Sequence, residues 1–193
     1  MILDLLGPEK PIIAALDQPI LDQLRPDLDF THSRRPAVKL KLDSAAPVLT
    51  ASFAPGTAIQ EVKFATPAKG RYFCLEALDA QDGKPFAAVA ELDLLDASDK
   101  SLSHENWTIA YVDSEERDKE DGTAENAIDG QTANFWHTEW GNAQPNYPHR
   151  LILDLGKTET ISGFRYMPRQ GTVDLPGRIK NYRVYIGDEL IQK

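Results

Sequence analysis

The chain has 193 residues, 41% of them hydrophobic and 26% charged, with 21 basic against 30 acidic residues and a net charge of −9. This length holds one substantial domain, or one domain plus a small extra segment, and the composition is ordinary for a soluble globular protein. The acidic balance argues against nucleic acid or an anionic membrane surface as the main partner, because both need a basic footprint.

Residues 1 to about 35 are punctuated by Pro8, Pro11, Pro19 and Pro26. Ile12, Ile13, Leu16, Ile20, Leu21 and Leu24 have roughly helical spacing, but Pro19 interrupts it, so at most two short helices fit. This part reads as a linker or the tail of a preceding domain. No apolar run is long enough to span a bilayer, and Met1 to Leu6 lack the basic start of a secretory signal.

From residue 36 the pattern is that of strands. Val38–Leu42 alternates, and so does Ile59–Phe64; Arg71–Ala77 and Val89–Leu95 are two more. Turn residues separate them at 54–56, 67–70 and 81–85. A polar connector follows at 98–104. The strand rhythm returns at Trp107–Val112, Arg150–Leu155, Ile161–Met167 and Ile179–Ile186. Many short strands with turn-rich gaps predict an all-β sandwich. Cys74 is the one cysteine, so it has no internal disulfide partner, and its apolar neighbours Phe73 and Leu75 mark it as core.

The segment from Ala127 to Trp140 is the richest in chemistry. An Asp129-Gly130 turn leads into Phe135-Trp136-His137-Thr138-Glu139-Trp140. Aromatic faces beside imidazole and guanidinium suit a sugar ring, which stacks its C–H face and hydrogen-bonds through its hydroxyls. Trp136 reads as core, whereas Trp140 lies on a loop. Arg165 alternates with Phe164 and Tyr166 and reads as a strand-face partner for an acid. Glu115, Glu116, Glu120, Asp121 and Glu125 form a carboxylate run. A glycosidase needs two carboxylates, but no apolar surround raises a pKa here, and the run reads as a solvated loop. No serine elbow, phosphate loop or zinc-ligand spacing is present.

These residues carry a family resemblance. Asp129-Gly130, Trp136-His137-Thr138, Trp140, Pro148-His149, Leu153-Asp154-Leu155-Gly156, Phe164, Tyr166, Pro168-Arg169-Gln170, Gly177, Ile179-Lys180, Tyr182 and Val184-Tyr185 stand in the order of a discoidin domain. This is the coagulation factor five/eight type C family, and its bacterial carbohydrate-binding branch is the group resembled. Residues 105–193 resemble the first half of that domain. Within residues 36–97, the stretches Ser52–Phe64, Gly70–Ala77 and Phe86–Leu95 resemble its second half. The halves thus stand in reversed order. Either this is a circularly permuted domain, or it is the tail of one tandem copy followed by the head of the next. Neither half has a complete strand set, so one closed jelly-roll sandwich over residues 36–193 is favoured.

The resemblance implies a non-catalytic carbohydrate-binding module, attached to a secreted bacterial glycoside hydrolase and therefore extracellular, periplasmic or on the cell surface. The alternative is a structural or protein-interaction sandwich packed on a catalytic neighbour. The implied sugar residues are His137, Trp140, Arg169 and Phe86, converging on a solvent-facing patch for galactose- or N-acetylhexosamine-type glycans. Pro176 stands where family members often carry a sugar-binding Asn, and Asp174 is the substitute. The family also implies a structural calcium ion, held by Asp129, Asn134 and Glu91, with backbone carbonyls from Asn126 and Gln131. Glu91 and Asp129 come from different halves of the chain.

Overall fold

The computed structural model describes residues 39–41, 45–171 and 176–192. The expectation for residues 1–35 and the whole of Asp174 lie outside the described residues. Among these residues ten strands run in order: β1 (Lys39–Leu40), β2 (Leu49–Ser52), β3 (Gln60–Ala77), β4 (Ala88–Val89), β5 (Glu91–Leu95), β6 (Thr108–Val112), β7 (Trp136–His137), β8 (His149–Met167), β9 (Asn181–Gly187) and β10 (Ile191–Gln192). Among the described residues, one 3-10 turn covers Ala124–Ala127.

All pairing is antiparallel in the main sheet, and two long strands organise it. β3 has 18 residues and β8 has 19. Their lower halves pair as Tyr72↔Asp154 through Ala77↔His149, and their upper halves as Gln60↔Tyr166 through Lys63↔Gly163. Between these stretches the register shifts at Lys63/Ala68 and Gly70/Tyr72. The bulges bend the pair, so one hydrogen-bonded sheet folds over into two layers. The larger layer runs β2-β9-β3-β8-β6, and the smaller runs β3-β8-β5.

The sequence reading took Pro67 to Gly70 as a turn between separate strands. Instead both residues fall in the bulged region. Pro67 has no N–H to lose where the ladder is already broken. At Gly70 an added Cβ would stand 2.4 Å from the backbone N of Gly187, so the two chains need the missing side chain. The expected breaks between 155 and 161 are absent for the same reason, and β8 is continuous. The strand expected at 38–42 reduces, among described residues, to β1 paired with β10.

The two halves of the chain share one core. Leu92, Leu94, Phe164 and Tyr166 of the smaller layer meet Phe73, Leu75, Leu151, Leu153, Tyr182 and Val184 of the larger. Phe53, just beyond β2, lies between the layers with its ring 4.1 Å from that of Tyr166 and 3.9 Å from that of Tyr182. Offset rings at such spacing add to the area they bury. β3 and β5 come from the first half, β8 and β9 from the second, and each completes the other's ladder. The fold is the all-β sandwich expected, closed within the chain.

Candidate functional site

At one end of the sandwich, four segments meet. The first is the Phe86 segment. β4 pairs with β7 as Ala88↔His137 and Val89↔Trp136. Ala87 N–H donates to Thr138 Oγ1 at 3.0 Å, and Thr138 N–H donates to Ala87 O at 2.9 Å. Tyr147 O–H donates to Phe86 O, and the His149 ring contacts Pro85 O at 3.1 Å. Phe86, from the first half, is thereby fixed beside His137, from the second, with ring centroids 5.6 Å apart.

The second segment is the acidic loop, and here the structure overturns the solvated reading. Glu116 is 1% exposed. Its Oε1 accepts the N–H groups of Asp118 and Lys119 at 2.9 Å each, and its Oε2 accepts those of Trp140 at 2.9 Å and Gly141 at 2.7 Å. Burial pushes its pKa up, but these backbone donors outweigh burial and hold it below the usual carboxylate value. Glu116 therefore ties the acidic loop to the Trp140 loop. Sequence reading missed this because a charge run looks solvated until its backbone partners are known.

The tie brings Glu120 into the centre of the cluster. Glu120 Oε1 accepts from Trp140 Nε1 at 2.9 Å and stands 3.8 Å from His137 Nδ1; its Oε2 stands 3.6 Å from an Arg169 Nη2. Phe135, which the sequence reading gave no site role, lies under the guanidinium of Arg169, with Cζ 4.1 Å from the ring centroid. Arg178 holds the Arg169 loop by donating from Nε to Arg169 O at 3.0 Å.

His137, Trp140, Arg169 and Phe86 are thus gathered in one place. The patch is less open than expected: Trp140 is 39% exposed, but His137 is 1% and Phe86 is 9%. The β4–β7 ladder draws the last two inward, while Trp140 stands on a loop. Burial keeps His137 below its usual pKa, and it lowers that of Arg169. His137 Nδ1 contacts Thr138 O, which can only accept, at 2.7 Å, so Nδ1 carries the proton and Nε2 is a bare acceptor. That Nε2 is buried without a partner, and so is Arg169 Nε. Buried polar atoms are rarely left so. The cluster therefore offers an unused acceptor, an unused donor, a carboxylate and an exposed indole.

A second feature lies at the Asp129-Gly130 turn. Gly130 has φ +80, which only glycine adopts readily. Asp129 Oδ1 accepts from Gln131 N at 2.8 Å; its Oδ2 accepts from Asn134 Nδ2 at 2.7 Å and Gln131 Nε2 at 3.2 Å. Asn126 Oδ1 accepts from Asn134 Nδ2 at 3.3 Å. Gln131 thus contributes its backbone N–H and its side chain, and Asn126 its side chain. Glu91, on β5, lies beside Asp129. Burial, then Asp129, raises its carboxyl to about 7, while the N–H groups of Gly130 and Gln131 pull the other way. Glu91 Oε1 and Asn134 Oδ1 are buried without partners. Among the described residues no group of three or more His, Cys, Asp or Glu gathers as a metal-binding set. The cradle holds two carboxylates with amide oxygens, a hard-donor set.

The remaining expectations separate cleanly. Arg165 pairs with Glu61 at 2.8 Å and Asp93 at 3.4 Å, a strand-face role. Trp136 is core, with Nε1 donating to Ser114 O at 2.9 Å, and Cys74 is fully buried.

The fold is a two-layer β-sandwich frame that presents side chains from separate loops at one end. Residues 110–191 match the family model of the F5/8 type C domain, and the fold is a discoidin-type β-sandwich. A sialidase from Micromonospora viridifaciens is 49% identical over 85 residues, 44% of this chain and 13% of the sialidase. A galactose oxidase from Gibberella zeae is 32% identical over 90 residues, 46% of this chain and 12% of the oxidase. The chain therefore matches only about an eighth of the length of these curated relatives.

Proposed function

We propose that this chain is a carbohydrate-binding module within a larger carbohydrate-active protein, and that it carries no catalysis of its own. The observation that supports this most is the gathering of Glu120, His137, Arg169 and Trp140 from separate segments around unsatisfied polar atoms. A sugar hydroxyl both donates and accepts. Its O–H fits His137 Nε2 or the Glu120 carboxylate, its oxygen fits the Arg169 guanidinium, and the pyranose C–H face fits the Trp140 indole. Galactose- and N-acetylhexosamine-type terminal sugars are the proposed ligands. The two relatives, a sialidase and a galactose oxidase, are consistent with a carbohydrate setting.

One shallow site desolvates few atoms, so binding is weak, on the order of 10 μM to mM. Its use is to raise the local concentration of an attached catalytic domain at glycans outside the bacterial cell. In the same reading calcium is the ion for Asp129, Asn134 and Glu91. When bound it supplies positive charge to paired carboxylates and pins β5 of one half to the turn of the other.

The burial of His137 and Phe86 favours one competing reading, in which those two residues only fix the loops of a structural sandwich. Titration calorimetry against a panel of simple sugars separates the two. A sugar that binds wild type and loses affinity in Trp140→Ala supports the module. Absence of binding by every sugar up to millimolar concentrations leaves the structural sandwich.

A further inference from the structure

A pocket of about 330 Å³ lies away from the loop-end cluster, on the outer face of the three-stranded layer. Its floor and walls follow from the strand register. Arg165 lies across from Asp93 on β5 and Glu61 on β3, and Met167, two residues on, lies across from Glu91. These positions alternate with the core residues Phe164 and Tyr166, so they face outward. The connector 98–104 then crosses the β5 edge. Leu102 N–H donates to Leu94 O at 2.9 Å, and Ser101 bridges to Leu95. The joint between the two halves thus supplies a wall.

Three kinds of group meet there. Ile59, 55% exposed, with the half-buried Leu102 and Met167, forms an apolar lining. Arg165 donates from Nε to Glu61 at 2.8 Å and from Nη1 to Ser101 Oγ at 3.1 Å and Asp93 Oδ2 at 3.4 Å, and Nη2 has no partner among the described residues. Asp93 and Ser101, joined by a hydrogen bond from Ser101 Oγ, supply acceptor oxygens at the same wall, where His104 Nε2 also faces Asp93 Oδ1 at 3.3 Å. Arg165 is already flanked by two carboxylates, and Glu91 closes the far end. A further anion is disfavoured, and a neutral acceptor is not.

We propose that this pocket is a second ligand site, independent of the loop-end cluster, and that it takes the acylamino group of an N-acylated sugar. The acetamido methyl packs against Ile59, Leu102 and Met167. Its carbonyl oxygen accepts from Arg165 Nη2, and its N–H donates to the Asp93 or Ser101 oxygen. The volume is at the small end for ligand pockets and matches one sugar residue rather than a chain.

The test is protein-observed NMR with N-acetylglucosamine, glucosamine and glucose as probes, on wild type and three variants. N-acetylglucosamine is expected to shift the amides of Leu102, Arg165 and Met167, with glucosamine and glucose at least about tenfold weaker. These shifts persist in Trp140→Ala, which disables the loop-end site, and are lost in Arg165→Lys. Ile59→Asp, at an exposed position, weakens them without affecting the fold and guards against misfolding of the arginine variant. The proposal is overturned if no shift appears at these residues, if glucose or glucosamine shifts them equally, or if both pocket variants bind as wild type does. Shifts confined to residues 137–142 also overturn it while leaving the loop-end reading intact.

Discussion

Trp140 and Glu120 are joined by a hydrogen bond from indole Nε1 to Oε1 at 2.9 Å, so the exposed ring of the cluster is held in place by the carboxylate at its centre. The bond gives Trp140 one orientation on a loop that would otherwise leave it free. Removing the ring by Trp140→Ala should weaken sugar binding by ~1–2 kcal/mol, in line with typical aromatic contributions. Trp140→Phe keeps a ring face but loses the N–H, and should fall between the two. Calorimetric titrations of all three proteins give the order, while thermal unfolding should be unchanged because Trp140 is 39% exposed.

Glu116 makes the stronger demand on stability. An amide in its place presents an N–H₂ to two of four backbone donors, which leaves them buried and unpaired. Glu116→Gln should therefore destabilise the domain by ~2–4 kcal/mol. Since its folded pKa lies below 4.5, its contribution is present above that pH and is lost as pH falls through the folded value. Urea unfolding at pH 7 and under acid conditions should show the variant and wild type converging as pH drops.

His104 has the opposite sign. Its Nε2 faces Asp93 Oδ1 at 3.3 Å and its Nδ1 faces Ile128 O at 3.2 Å, both acceptors, while its ring stacks on Trp107 at 4.0 Å. Only the imidazolium donates to both. Asp93 chiefly raises its pKa above 6.5. The stabilisation is full below 6.5 and is lost as pH rises through the folded value. His104→Gln should flatten this part of the stability-versus-pH curve, and an NMR titration of the ring should report a midpoint above 6.5. A midpoint at or below 6.5 refutes the assignment.

Calcium should raise the melting temperature by mass action if it binds the folded cradle alone. Asp129→Ala should abolish the rise. A wild-type melting curve that neither calcium nor a chelator moves would show that the Glu91–Asp129 pair is a purely organic contact.

The sandwich was legible in the sequence because its strands keep their alternation of buried and exposed positions. Leu92 and Leu94 face in, and Glu91 and Asp93 face out, as their chemistry requires. What misled were residues whose role depends on distant partners. Pro67 and Gly70 look like a turn, but they sit in bulges that only the pairing with β8 reveals. β2 went unread because Leu-Thr-Ala-Ser is short and barely apolar, and its pairing with β9 alone defines it. Within the loop-end cluster, His137, Trp140, Arg169 and Phe86 were visible through family resemblance. Glu120 was hidden inside a charge run, since nothing local separates a solvated glutamate from one that faces an indole and a guanidinium.

The β3–β8 pair joins the first half of the chain to the second through nine aligned positions between Ala68↔Ile161 and Ala77↔His149 alone. A boundary drawn at the usual start of an F5/8 type C domain, near residue 105, would cut between these partners. Each product would keep one side of an unzipped ladder, with an apolar face bare to water. For expression, limited proteolysis or fusion to another protein, the unit to preserve is therefore the interlocked pair of halves rather than the stretch that looks like a single domain in sequence. In a longer chain of such segments, a strand left without its own complement would find an identical one on a neighbour, and beads on a string would become links of a chain.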